Sequence, residues 1–288
     1  DRVLRSNLKL RHLQLLVALD QFRHLCRAAE FLAVTQPAVS KTLAEIERML
    51  DMTLFERSTR GTEPTAAGVS MVRFARSVLA GFERTRDEMA AEASGTRGRT
   101  SVGAMVVATP VLLVRADGQL KARSAQTTVL VEEGDLTRLL PKLRMGELDL
   151  FVGRLEPGYA SPDLETEALY DEPMVAVVRP GHALLAQHAS WQALADMPCV
   201  MPPPWASLRV KLEQQFFAHG LHPPADLVES ASFLSQISFL HQRGAVAFMA
   251  RGVAQHFAQQ GLVAVLDLPV PIDLPPVGLI TLRGQPMT

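Results

Sequence analysis

Several features that would narrow the chemistry at once are scarce here. Only two cysteines occur in 288 residues, Cys26 and Cys199. They lie far apart and form no C-x-x-C pair, which argues against a disulfide framework or a structural zinc site and fits a reducing cytoplasm. No stretch reaches the roughly 18 uninterrupted apolar residues of a membrane-spanning helix. The opening residues, Asp1-Arg2-Val3-Leu4-Arg5-Ser6, hold no apolar run of the signal-peptide kind and no initiator methionine. The common catalytic signatures are missing too: no G-x-S-x-G, no P-loop, no H-E-x-x-H and no G-x-G-x-x-G. Glu132-Glu133 is a paired acid, but alternation along a strand would point the two to opposite faces. His219 and His222 have a loose metal-like spacing just before a Pro-Pro turn, and a loop role outweighs a metal role. His182, in Pro180-Gly181-His182, reads as a surface or turn residue. The expectation is therefore no catalytic residue, no metal and no cofactor.

What is present supports folded cores. Hydrophobic residues make up 48% of the chain, and the length suits one large domain or two to three smaller ones. The net charge of −1 hides an asymmetry: residues 1–100 have a balance of +4 and residues 101–288 a balance of −5. A mildly basic front end suits nucleic acid, although two differently solvated surfaces would give the same imbalance.

The first 60 residues read as short helices. Leu13, Leu16, Val17 and Phe22 mark one amphipathic helix over about 9–22. A second runs near 27–33, burying Ala28, Ala29 and Leu32. After a break at Val34-Thr35, a third begins at Gln36-Pro37, because Thr35 can cap it and proline is tolerated in a first turn. It reaches about Leu50 with Val39, Leu43, Ile46 and Met49 or Leu50 inward. Residues 54–57 and 62–64 read as two short strands around a turn at 58–61. Thr65 can then cap a proline-free helix to about Ala93. Its residues Val72, Ala75, Leu79, Phe82, Met89 and Ala93 form an a/d seam interrupted by Arg86. Such a helix is about 40 Å long and needs a partner. That partner is either its own domain or a second subunit, and the seam favours the second.

Ser94-Gly95-Thr96-Arg97-Gly98 reads as a hinge. Beyond it apolar strands (100–107, 127–132, 149–152, 173–178, 198–201, 225–229, 245–249) alternate with helices (111–122, 136–145, 207–219, 232–242, 250–258). That alternation predicts α/β structure with a mostly parallel sheet.

The informative stretch runs from Ala28 to Glu47. Small Ala28 and Ala29 let two helices cross closely, and the next helix presents Gln36, Ser40 and Lys41 outward while Val39 and Leu43 pack inward. A helix of this kind fits the major groove, where glutamine can read adenine and lysine or serine can reach bases or phosphates. Ala28-Ala29, Thr35-Gln36-Pro37-Ala38-Val39-Ser40 and Ile46-Glu47 closely resemble the signature of LysR-type transcriptional regulators. The resemblance continues through Leu54-Phe55-Glu56-Arg57, Arg60-Gly61, Pro64-Thr65 and Ala67-Gly68, and covers about residues 9–92.

The resemblance implies a winged helix-turn-helix over 8–66, a linker and dimerisation helix over 65–93, a hinge at 94–99 and an effector-binding domain over 100–288. It also implies that Thr35, Gln36, Pro37, Ser40 and Lys41 contact DNA from the recognition helix, with Arg57 and Arg60 contacting it from the wing. Each polar residue on a helix face could instead be merely solvated, and Arg57 could pair with Glu56 or Glu63. One departure is Cys26, which stands where the family has a Ser or Thr that caps the second helix. An inert, partly buried thiol is favoured there over a redox role. Lys9-Leu10-Arg11-His12-Leu13 and Glu45-Ile46-Glu47 are similar to two subgroups: regulators of protocatechuate catabolism and of a galactose-binding protein.

The second half carries Ser101-Val102-Gly103-Ala104, Leu139-Leu140, the run Gly146–Gly153, Tyr170–Pro173 and Arg179–His182, which also resemble the family. The implied domain is like type 2 periplasmic binding proteins. Lobe one would be 100–168 with 268–288, and lobe two 169–267. Ligands of open α/β sheets bind beyond the carboxyl ends of strands, where helix N-termini offer free N–H groups. The candidate effector residues there are Ala108, Thr109, Gly134, Asp135, Pro204, Trp205, Ser207, Ser230, Ser232 and Phe233. Helix N-termini favour an anion, so a small carboxylate is expected. Each of these residues could instead be a plain loop or cap. The expected partners are double-stranded DNA, a small-molecule effector, further copies of the chain as a homodimer or homotetramer, and RNA polymerase, with no membrane. The alternatives are a constitutive DNA-binding protein whose cleft is filled by side chains, a solute-binding protein of transport, and an enzyme on the two-lobed fold.

Overall fold

The computed structural model describes residues 8–58, 61–94, 98–204 and 206–284. Three helices open the chain: α1 (Leu10–Phe22), α2 (Leu25–Phe31) and α3 (Gln36–Leu50). Two short antiparallel strands follow, β1 (Phe55–Ser58) and β2 (Gly61–Pro64), then the long helix α4 (Ala66–Ser94). The apolar periodicity of these helices closes into one core. Leu16, Leu19, Ala28, Val39, Leu43 and Ile46 are fully buried together with Leu54 of the wing. Thr65 caps α4 as its sequence suggests, with Oγ1 accepting the Gly68 N–H at 3.0 Å.

Several expectations are corrected in this region. Thr35 holds the N-cap position of α3, but its side chain makes no capping hydrogen bond. Helix α2 starts at Leu25, so Cys26 lies inside it. His24 is the cap, its Nδ1 accepting the Cys26 N–H at 3.3 Å. Cys26 is exposed rather than partly buried. The seam of α4 divides: Val72 and Ala75 are buried against the chain's own first helices, whereas Phe82 and Met89 are 52% and 67% exposed.

Glu47 ties α3 to the wing. Its Oε1 accepts the N–H of Leu54 at 2.7 Å and of Phe55 at 3.1 Å. Hydrogen bonds to a charged, half-buried acceptor are among the stronger ones, so Glu47→Ala should cost about 2 kcal/mol in urea denaturation. Glu47→Gln keeps an acceptor oxygen and should lose clearly less. Equal losses in the two variants would deny the carboxylate this role.

His12 is the buried exception in this core. Its Nδ1 accepts the Lys9 N–H, and among the described residues its Nε2 is the one buried side-chain nitrogen or oxygen without a partner. Burial, then the neighbouring Arg11, hold its pKa below the ordinary 6.5. The unfolded chain therefore takes up this proton more readily than the folded one. This contribution to stability is intact above about pH 6.5 and falls as the pH drops below it, down to the folded pKa. His12→Gln should accordingly lose less stability than the native chain between about pH 7 and pH 5, measured by urea denaturation. Parallel losses would contradict this.

Two five-stranded sheets make up the remainder. In lobe one the order is β4-β3-β5-β12-β6, with β3 (Arg99–Ala104), β4 (Thr128–Glu133), β5 (Leu150–Arg154), β6 (Leu164–Tyr170) and β12 (Val277–Leu282). Helices α5 (Val114–Arg123) and α6 (Leu136–Met145) accompany it, and a π-helical turn at Thr109–Leu113 precedes α5. In lobe two the order is β11-β7-β10-β8-β9, with β7 (Met174–Val178), β8 (Cys199–Met201), β9 (Leu227–Glu229), β10 (Val246–Ala250) and β11 (Ala264–Val265). Its helices are α7 (Trp191–Ala195), α8 (Ser207–Ala218), α9 (Phe233–Arg243) and α10 (Arg251–Gln259).

The sheets are mixed rather than mostly parallel. Strand β3 is parallel to β4 and β5, but β12 is antiparallel to β5 and β6. Likewise β8 is parallel to β9 and β10, but β7 is antiparallel to β10 and β11. The antiparallel strands are the ones next to the two crossings between lobes, where the chain changes direction to enter the other sheet. His182 closes the turn at 179–182, its N–H donating to the Arg179 carbonyl at 3.3 Å, but it is buried rather than on the surface. Its Nδ1 accepts the Leu184 N–H and its Nε2 lies 3.1 Å from the Gly244 carbonyl. His219 stacks on the Trp191 ring at 5.4 Å, which gives it a packing role. Burial pushes the Cys199 thiol up to about 12, so it is not a nucleophile at neutral pH.

Candidate DNA interface and ligand cleft

Helix α3 has two faces. Val39, Leu43, Ile46 and Leu50 are buried beneath it. On the other side Thr35, Pro37, Ala38 and Lys41 are exposed, with Gln36 and Ser40 half-exposed beside them. The 3.6-residue period brings Gln36, Ser40 and Lys41 onto one surface. That surface combines an amide able to bond adenine at two atoms, a hydroxyl and an ammonium. Pro37 in the first turn leaves the helix start free of one N–H that no intrahelical carbonyl would have met.

The wing pairs Arg57 with Thr62 and Ser58 with Gly61. Arg60 lies outside the described residues. Glu63 of the wing pairs with Arg23. The same Arg23 binds Asp20 at 2.8 Å and accepts the Thr62 N–H on its carbonyl at 2.9 Å. The end of α1 thus fixes the wing through both main chain and side chain.

The second candidate region lies between the lobes. Ala108 is fully buried, and Thr109 begins the π-helical turn with Oγ1 donating to the Met105 carbonyl. Gly134 donates its N–H to Ala104 and sits against Leu139. Asp135 is the N-cap of α6, accepting the Arg138 N–H at 3.1 Å. Ser230 and Ser232 are joined to each other, the Ser232 N–H donating to Ser230 Oγ, and Ser232 caps α9. The Phe233 ring lies 4.4 Å from that of Phe257, against the lobe-two core. Pro204 is exposed, and Trp205 lies outside the described residues. Ser207 reaches across the lobes: its Oγ donates to Glu156 Oε1 at 3.0 Å.

Three charged groups here were missed from the sequence. Glu156 is the partner of Ser207 at the start of α8. Glu172 accepts the Gly252 N–H at the start of α10 through Oε1, at 2.9 Å. Arg154 is buried, its Nη1 donating to the Pro275 carbonyl at 2.9 Å and its Nη2 to the Glu172 carbonyl at 2.7 Å. It therefore holds both crossing segments between the lobes, and burial lowers its pKa from the ordinary value. A charge closing the apolar run Leu150–Gly153 was the available signal for Arg154. The two glutamates carry none in sequence, since their partners are distant along the chain.

Comparison with known proteins agrees in both halves. Residues 10–69 match the family model described as the bacterial regulatory helix-turn-helix protein, lysR family. Residues 93–288 match the LysR substrate binding domain. The HTH-type transcriptional regulator GbpR of Azospirillum brasilense is 34% identical, over 99% of this chain and 84% of its own length. The regulator PcaQ of Agrobacterium fabrum is 31% identical, over 97% of this chain and 90% of its own. A full-length CbnR solved with its target DNA shares the fold, with a TM-score of 0.71 and 18% identity over 97% of this chain and 95% of that one.

Proposed function

The chain belongs to the LysR family of DNA-binding transcriptional regulators, and we propose that it responds to a small anionic metabolite held between its two lobes. The observation that carries the DNA half is the exposed face of α3, with Gln36, Ser40 and Lys41 set over buried Val39, Leu43 and Ile46. Thr35, Gln36, Pro37, Ser40 and Lys41 are the proposed contacts from the helix, and Arg57 and Arg60 those from the wing. Two chains pair through α4, where Phe74, Phe82 and Met89 are exposed. Two recognition helices then enter major grooves about one turn, roughly 34 Å, apart. A tetramer through the sensing domains, contact with RNA polymerase and a cytoplasmic location complete the reading, and no resident cofactor is needed.

The cleft residues proposed to meet the effector are the strand-end set from Ala108 to Phe233 named above, with Glu156 and Arg154 added. The effector carboxylate competes with Glu156 for Ser207 and the start of α8. A second reading has its own support: the starts of α6, α8 and α10 already have carboxylates of this chain, Asp135, Glu156 and Glu172. On that reading the cleft is filled by side chains and the regulator is constitutive.

The test is a thermal-shift screen of small carboxylates on the full-length protein, paired with transcript levels from the promoters it occupies in cells. An effector-responsive regulator gains stability with at least one compound, and that compound changes those transcripts. Occupied promoters whose transcripts follow the protein but no compound would support the constitutive reading. No occupied promoter at all would overturn both.

A further inference from the structure

Helix α4 also faces lobe one, and it does so with arginines. Arg84 Nη1 lies 3.3 Å from Asp149 Oδ1, and Arg76 Nη1 lies 3.7 Å from Glu147 Oε1. Both acids sit in the corner 146–149, between α6 and β5. Gly146 ends α6 with φ 74, a conformation that favours glycine. A Cβ there would fall 2.6 Å from Arg84 Nη2, so the missing side chain lets the guanidinium lie on the backbone. Asp149 is itself anchored to the first strand of the sensing domain. Its Oδ2 accepts the Ser101 N–H and its own N–H donates to the Ser101 carbonyl, both at 2.8 Å.

Arg76 is shared with the DNA-binding side. Its Nη2 is 3.1 Å from Asp20 Oδ2, and Asp20 Oδ1 is 2.8 Å from Arg23, which pairs with Glu63 of the wing. Alternating charges therefore run Glu147–Arg76–Asp20–Arg23–Glu63, from the sensing lobe to the wing. Among the described residues the contact has no apolar core of its own. Val72 and Ala75 of α4 belong to the DNA-binding core, and the core around Leu139, Leu140 and Leu143 takes no residue from α4. Partly exposed ion pairs are individually weak and screened by salt. A polar contact between separately cored units is the kind that opens and closes.

We propose that the 146–149 corner is a releasable lock: docked on Arg76 and Arg84, it holds the sensing domain against the linker helix of the same chain and transmits its position to the wing. The regulatory use of the lock rests on the DNA-binding reading above, whereas the docking itself does not.

The test compares the full-length native protein with Arg84→Glu, Glu147→Arg and Arg84→Lys by amide exchange across residues 76–84 and across the 146–149 corner. Exchange should be about fivefold faster with either charge reversal and stay within about twofold of native with Arg84→Lys. Unchanged exchange in both charge reversals overturns the docking. Glu147→Arg, which lies outside the DNA-binding core, should also bend a duplex, selected by the native protein from a random pool, by a different angle from the native protein. Equal bend angles overturn the transmission and leave the DNA-binding reading intact.

Discussion

Gln36→Ala should weaken binding to a selected duplex by about 1–3 kcal/mol, roughly 5- to 150-fold, and relax the base preference at one position of each half-site. The side chain sits at the start of α3, half-exposed above buried Val39, so its loss removes a base contact without opening the core. Lys41→Ala is the contrasting case. If the ammonium meets a phosphate, affinity falls by a similar factor on every sequence, and the salt dependence becomes shallower by about one unit. Fluorescence anisotropy on specific and scrambled duplexes separates the two patterns. A Gln36→Ala protein that discriminates as well as the native one would remove this residue from the reading surface.

Gly68→Ala should be the more damaging change to stability. A Cβ at this position would lie 1.9 Å from the Leu54 carbonyl oxygen and 3.2 Å from Pro64 Cβ. The oxygen cannot readily move, since it also accepts the Thr65 N–H at 2.9 Å and lies 3.3 Å from Thr65 Oγ1. The first turn of α4 and the strand entry at Leu54 are therefore in contact through backbone alone. Forcing them apart should cost about 3 kcal/mol, at the upper end for an overpacked site. The loss should appear in the unfolding of the DNA-binding unit and spare the sensing domain. Gly81→Ala, in the same helix with nothing within 4 Å of the added carbon, is the control. It should stabilise the helix by roughly 0.5–1 kcal/mol. Equal melting behaviour of the two variants would deny the close approach at Gly68.

The front of the chain was readable because its signals are local. Period and a proline in its first turn place α3 at Gln36–Leu50, although α2 ends at Phe31 and the break before α3 is four residues, 32–35, rather than two. What failed there depended on distance or on competing groups. The changed start of α2 follows from Cys26, since a thiol caps poorly and the His24 nitrogen accepts the N–H in its place; the miss there was only the identity of the cap. The seam of α4 was one pattern in sequence but has two fates, since α1 covers Val72 and Ala75 and leaves Phe82 bare. Strand β6 was missed because Leu164–Tyr170 buries only its first residue and alternates acids with small groups. It lies at the sheet edge, where no apolar run is required. The mixed sheets were also out of reach, because strand direction there follows from the crossings between lobes. Glu156, Arg154 and Glu172 meet their partners across separations of 51, 121 and 80 residues, which no spacing rule encodes.

Purine N7-modification interference on the selected duplex puts the exposed face of α3 to the most direct trial. N7 lies in the major groove, so a helix seated there is blocked by modification of the purines it reads. The account predicts two clusters of interfering purines about one helical turn apart for the full-length protein, with interference lost at one purine per half-site in Gln36→Ala. Tight binding that tolerates modification at every purine would contradict it.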